Sequence, residues 1–170
     1  MNKEKRISRG ENNFKKYIIP TISDHFPGLW QSSNGTEADM KHGIDWYYTD
    51  QDRTLSVAAR VWESEPKQHF AVRSHRSSNP KNGLEIKSRL KALEVNGPLP
   101  TITIEGFIWS KWAYVAIIDS RLLWETVADN LDNLKSFSIP QSEGDKTVFT
   151  RIPFRLFKEN QITKIIKPLI

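Results

Sequence analysis

The sequence predicts an α/β fold in which a mixed central sheet is flanked by helices. Three observations carry that expectation. Phe14, Ile18, Ile22 and Phe26 form an apolar stripe at helical spacing; Ile44 to Tyr48 and Leu55 to Val61 alternate as a hairpin would; and Ala113 to Ile118 is a continuous apolar run of the kind buried on both faces of a sheet.

Taken in chain order, the first helix spans Glu11 to Phe26, with Tyr17 widening its stripe and Pro20 removing one internal hydrogen bond, so that a kink or two short helices are expected there. Gln31 to His42 is polar, centres on Asn34-Gly35 and reads as a loop. Gly43 to Tyr48 is the first strand, with Ile44, Trp46 and Tyr48 on one face and Asp45 on the other. Thr54 to Glu63 is its hairpin partner, and His69 to Ser74 is a third strand. Leu84 to Glu94 carries Ile86, Leu90 and Leu93 at helical spacing among Lys87, Arg89 and Lys91, which makes a short basic helix. Thr101 to Ile104 alternates, Gly106 is a candidate bulge, and the run Ala113 to Ile118 should be a central strand. Asp119 or Ser120 can cap a helix whose Leu123, Val127, Leu131 and Leu134 face the core, and Lys146 to Ile152 is a last strand before a basic tail.

With 170 residues, no internal repeat and no linker-like segment, one domain is expected, and 8 Phe, 6 Trp and 4 Tyr supply its packing units despite a hydrophobic share of 38%. The absence of Cys excludes disulfides, thiolate zinc sites and cysteine nucleophiles. No stretch reaches the roughly 20 apolar residues of a membrane span and no signal-peptide core follows the N-terminus, so a cytoplasmic protein without membrane association is expected. His25, His42, His69 and His75 have no metal-ligand spacing, isolated glycines make no phosphate loop, so no nucleotide cofactor is expected, and no GxSxG elbow is present.

The formal charge of +5 favours polyanionic partners. Residues 1–16 hold six basic and two acidic side chains, and residues 151–170 hold five and one. Arg73, Arg76, Lys81, Lys87, Arg89 and Lys91 form a further cluster on the third strand, the following loop and the basic helix, suited to neutralising phosphates; a solvated helix face balanced by Glu85 and Glu94 is the alternative. Trp109 and Trp112 bracket the Ser110-Lys111 turn, where they would stack on a base or cap the core, with core packing expected.

An acidic residue in an apolar strand is expensive unless a cation compensates it, which singles out Asp45. If Asp45 lies opposite Ala58, its carboxylate shares a face with Ser56, Ala58, Arg60 and Trp62; pairing with Arg60 or capping a turn is the structural alternative. The early Glu11, the strand Gly43-Ile44-Asp45, the short turn and the second strand bearing Arg60 resemble the PD-(D/E)XK nuclease superfamily over about Glu11 to Ile118. The resemblance implies a restriction-endonuclease-like fold, Mg²⁺ (or Mn²⁺) held by Asp45 and Glu11, and Arg60 where the family carries its lysine. It departs from the family pattern at Ala58, which replaces an acidic ligand, and at Arg60, which stays protonated and can stabilise charge but cannot serve as a base. Glu85-Ile86-Lys87 also matches the ExK string, but on a helix its two charged side chains diverge. Glu37, Asp39 and Glu63 are further carboxylates that could join the site.

The implied activity is metal-dependent DNA endonuclease action of a homing, phage-type or repair kind, possible as a homodimer that cuts both strands. The alternative is a catalytically inactive relative serving as a nucleic-acid-binding or protein-interaction module. A third class is an accessory protein that never touches nucleic acid.

Overall fold

The computed structural model describes residues 9–76, 85–142 and 145–170. Residues 9–22 form α1, which contains a π-helical stretch, Phe14–Ile18, and closes with an α turn, Ile19–Ile22. Pro20 falls in the first turn after the π stretch, where a missing N–H costs least, so the expected interruption takes the form of a change in helical pitch. Phe14, Ile18, Ile22 and Phe26 are all buried, as their spacing predicts.

Six strands form the main sheet in the order β1-β2-β3-β5-β6-β9: β1 (Leu29–Ser32), β2 (Trp46–Thr49), β3 (Thr54–Trp62), β5 (Ile102–Trp109), β6 (Trp112–Asp119) and β9 (Ile162–Pro168). It is mixed, because β3 and β5 run parallel while the other neighbours are antiparallel. A second, antiparallel sheet has the order β4-β8-β7, from β4 (His69–Arg76), β7 (Ser136–Ser142) and β8 (Asp145–Pro153). Three helices complete the fold: α2 (Glu37–His42), α3 (Glu85–Glu94) and α4 (Ser120–Asn130).

The main sheet is buried on both faces. Phe14, Ile18 and Ile22 of α1 pack on Trp46, Tyr48, Val57, Ile104, Val115 and Ile117. On the other face Phe70, Val72 and Ile152 of the second sheet, with Leu123, Trp124 and Val127 of α4, meet Ala116, Ile118 and Ile162. Successive β6 residues thus go to opposite cores, which is why that run is apolar throughout. Its place is one strand in from the β9 edge rather than at the centre.

Several expectations are corrected. The stretch read as a loop, Gln31 to His42, holds the last two residues of β1 and all of α2; Thr36 caps α2 by accepting from the Asp39 N–H, and Lys41 pairs with Glu37 at 2.7 Å, so local polar contacts build a helix that has no buried residue. The third strand leaves the hairpin for the second sheet, where β8 is the middle strand. Gly106 marks no bulge: β5 and β6 pair without a register shift, and the glycine is needed because a Cβ would lie 2.7 Å from Ile18 Cδ1. Asp119 caps α4, accepting from Leu122 N–H at 2.9 Å, but Leu131 lies in a short 3₁₀ turn, Leu131–Asn133, and is exposed. The supposed basic tail contains the end of β8, two 3₁₀ turns and β9, which pairs along β6.

Candidate functional site

The chain reaches Asp45 through a sharp helix exit. Gly43 closes α2 in the left-handed region at φ 64°, and a Cβ there would run into the Arg89 guanidinium. Asp45 then donates its N–H to Val57 O at 2.8 Å, and Trp46 pairs with Val57, so the register carried one step back sets Asp45 opposite Ala58 as expected. Its Oδ2 accepts the Ala59 N–H at 2.7 Å. The carboxyl therefore satisfies a β3 backbone donor at the point where the hairpin ladder ends.

Arg60 follows on the same face of β3. Its guanidinium lies 4.8 Å from the Phe149 ring centre and donates to Glu85 Oε2 at 3.3 Å. Glu85, the first residue of α3, also accepts the Arg73 backbone N–H at 2.6 Å, tying α3 to β4. On β5, Glu105 stands directly opposite Arg60 in the parallel register, is 1% exposed, and accepts from the Trp62 indole N–H and the Ala71 backbone. Arg89, 7% exposed, donates to Lys41 O at 3.2 Å and feels both Glu85 and Asp45.

Three carboxyls and two guanidiniums thus occupy the space between β3, β5 and α3. Burial pushes the Asp45 carboxyl up to about 7, with Asp39 and Glu85 adding to the rise and the Ala59 N–H and Arg60 opposing it. Burial likewise pushes Glu105 up to about 8 against the pull of Arg60 and Trp62. Near neutral pH much of the negative charge of these two groups is discharged, while both arginines stay protonated.

The residues expected at the site separate. Asp45 and Arg60 come together; Glu11 instead accepts from Asn34 Nδ2 at 3.2 Å, and Glu85 is the glutamate that reaches the Asp45 neighbourhood. Glu37 pairs with Lys41, Glu63 with Arg9, and Asp39 Oδ2 accepts from Gly35 N–H at 3.0 Å. Within the basic cluster Lys87 and Lys91 are exposed on α3, but Arg89 points inward, Arg73 is half-buried, Arg76 ends β4, and Lys81 lies outside the described residues. Glu85 and Lys87 do diverge, Glu85 inward and Lys87 outward.

Glu105 was missed, although it carries the signal that singled out Asp45, an acid inside an apolar strand. The expected strand ended at Ile104 with Gly106 read as a bulge, so Glu105 fell just past it, and the second sheet that covers it is not legible locally.

The donor set can be tested against a divalent cation. Asp45 Oδ2 is taken by Ala59, Glu85 Oε2 by Arg60 and Arg73, and Glu105 Oε1 by Trp62, while Ala58 has no side-chain oxygen and the Arg60 guanidinium sits among the carboxyls. One oxygen of each carboxyl is thus an occupied hydrogen-bond acceptor, and the arginine charge already among them does part of what a divalent cation, which needs several free oxygen ligands, would do. No family model, curated protein or solved structure matches the chain.

Proposed function

We propose that this chain is a DNA-binding module built on a nuclease-like α/β fold, in which the position of a metal centre is held by a self-satisfied charge cluster. The Arg60–Glu85 ion pair carries this reading. An endonuclease of the resembled family would need the Arg60 guanidinium free to meet the scissile phosphate, whereas here it is ion-paired with Glu85 against α3. The same cluster holds three carboxyls against two guanidiniums inside the fold, so the rest of the chain is more positive than the overall +5. Lys87, Lys91, Arg155, Lys158 and Lys164 are exposed and form no salt bridge among the described residues, which leaves them free to meet phosphates.

The metal-dependent endonuclease is the second reading. The carboxyls of Asp45 and Glu105, raised toward neutral, favour it, because a cation entering beside them would ionise both. One experiment separates the two: gel-shift binding to a plasmid fragment alongside nicking of supercoiled plasmid in Mg²⁺ or Mn²⁺, with wild type and Asp45→Ala. Binding without nicking is expected. Nicking lost in Asp45→Ala would establish the endonuclease, and no binding at low salt would overturn both readings.

A further inference from the structure

The face of the main sheet that holds the cluster continues past the cover of the second sheet. Trp109 pairs with Trp112, Trp112 with Pro168, Tyr114 with Ile166, Ala116 with Lys164, and Ile118 with Ile162, so by alternation one face presents a row that begins buried at Ile118 and Ile162 and ends open at the tryptophans. Trp109 is 48% exposed, Trp112 42% and Ile166 58%, where core packing was expected of the tryptophans. Neither indole is in a ring contact among the described residues.

Where the cover ends, a cavity of about 490 Å³ opens beside Lys164, with Arg155 and Lys158 on its rim and Phe154, Phe157 and Ile162 beneath. Glu159 is its one acidic lining residue, and the three cations have no ion-pair partner among the described residues. Lys164 to Pro168 spans roughly 13 Å of strand. Cations without an ion-pair partner at one end, Lys164 lying over the Phe154 ring, and two unstacked indoles at the other with Lys111 in the turn between them, are complementary to a chain of phosphates carrying flat rings.

We propose that this face is a track for single-stranded DNA, with phosphates at Arg155, Lys158 and Lys164 and unpaired bases on Trp109 and Trp112. The proposal rests on the DNA-binding reading and narrows it. A duplex cannot use the indoles, because its bases are already stacked and paired, whereas a single strand offers a ring face at each nucleotide.

Fluorescence anisotropy of labelled oligothymidylate, its duplex and oligouridylate tests this, with wild type, the double variant Trp109→Ala/Trp112→Ala, and the double variant Lys158→Ala/Lys164→Ala. All substituted side chains except Trp109 and Trp112 are charged surface groups, and thermal unfolding confirms that each variant folds. Oligothymidylate is expected to bind more tightly than the duplex, to weaken by about tenfold or more in the tryptophan variant while duplex binding holds, and to show a shallower salt dependence in the lysine variant. Unchanged oligothymidylate binding in the tryptophan variant, or preference for the duplex, would overturn the track while leaving the DNA-binding reading intact. Tighter binding of oligouridylate would overturn its assignment to DNA. Self-association that the tryptophan variant abolishes, with DNA binding unmoved, would assign the face to a second copy of the chain. Absence of binding to any of the three probes would remove the parent reading as well.

Discussion

Arg60 of β3 and Glu105 of β5 stand opposite one another across a parallel pairing, and it is Glu85, arriving from α3, that takes the arginine's hydrogen bond. The guanidinium therefore serves three carboxyls at once, since Asp45, Glu85 and Glu105 all lie in its field or on its nitrogen. Removing it takes the paired cation from Glu85 and leaves Arg89 as the cluster's remaining guanidinium. Arg60→Met is expected to lower unfolding free energy by about 3 kcal/mol, and Arg60→Met/Glu85→Gln to recover part of the loss; denaturant unfolding of the two singles and the double gives the coupling, and additivity would show that the pair is not coupled.

Stability should depend on pH through the same cluster. Folded Asp45 titrates at about 7 and Glu105 at about 8, far above unfolded carboxyls, so from about pH 4 upward the unfolded chain has released protons that the folded chain keeps. Their stabilisation is complete below about pH 4 and is lost as pH rises, by up to about 1.4 kcal/mol per pH unit for each group, until pH reaches 7 for Asp45 and 8 for Glu105. His69 acts in the opposite sense: burial, with Arg151 and Lys67 nearby, lowers it from 6.5 to about 4, so its contribution improves as pH rises through that interval. Melting curves from pH 4 to 9 on wild type, Asp45→Asn and Glu105→Gln check this. Each variant should flatten the decline, and a decline unchanged in both would assign it elsewhere.

Close packing of α1 on the sheet depends on the missing side chain at Gly106. Gly106→Ala puts a methyl 2.7 Å from Ile18 Cδ1, and overpacking of this kind costs about 1–3 kcal/mol. Adding Ile18→Val removes that δ-methyl, so the double variant should be more stable than Gly106→Ala alone in urea unfolding.

The turn that carries the exposed tryptophans is strained. Ser110 and Lys111 have φ of 49° and 67°, the pair of left-handed conformations that a two-residue hairpin turn requires and that Asn-Gly adopts with least strain. Ser110→Asn/Lys111→Gly should raise stability by about 1 kcal/mol, read as a higher melting temperature with the β5 to β6 register retained.

The stripe of α1, the hairpin of β2 and β3, the cap at Asp119 and the two-faced burial of β6 were legible because each is written in spacings of a few residues. What was not legible depends on distant partners. The strand β4 looked like a hairpin neighbour, yet β8, some eighty residues on, recruits it into another sheet. That second sheet is what buries Glu105 and brings Phe149 under Arg60. Alternation with an assumed hairpin register put Asp45 and Arg60 on one face and the resemblance made them a site, whereas Glu85 was set aside as part of a diverging pair on a helix, which says nothing locally about the strand it will meet. Glu11 illustrates the reverse: placed in the site by resemblance, it hydrogen-bonds Asn34.

The proposed function has exposed cations without ion-pair partners hold DNA while the cluster around Arg60 stays closed. The most direct measurement is DNA affinity as a function of salt, in the presence and absence of Mg²⁺. The logarithm of the binding constant is expected to fall linearly with the logarithm of salt concentration, with a slope of several phosphate contacts, and to gain nothing from Mg²⁺ beyond its effect as a salt. Affinity that is insensitive to salt, or that appears only when Mg²⁺ is added, would contradict it.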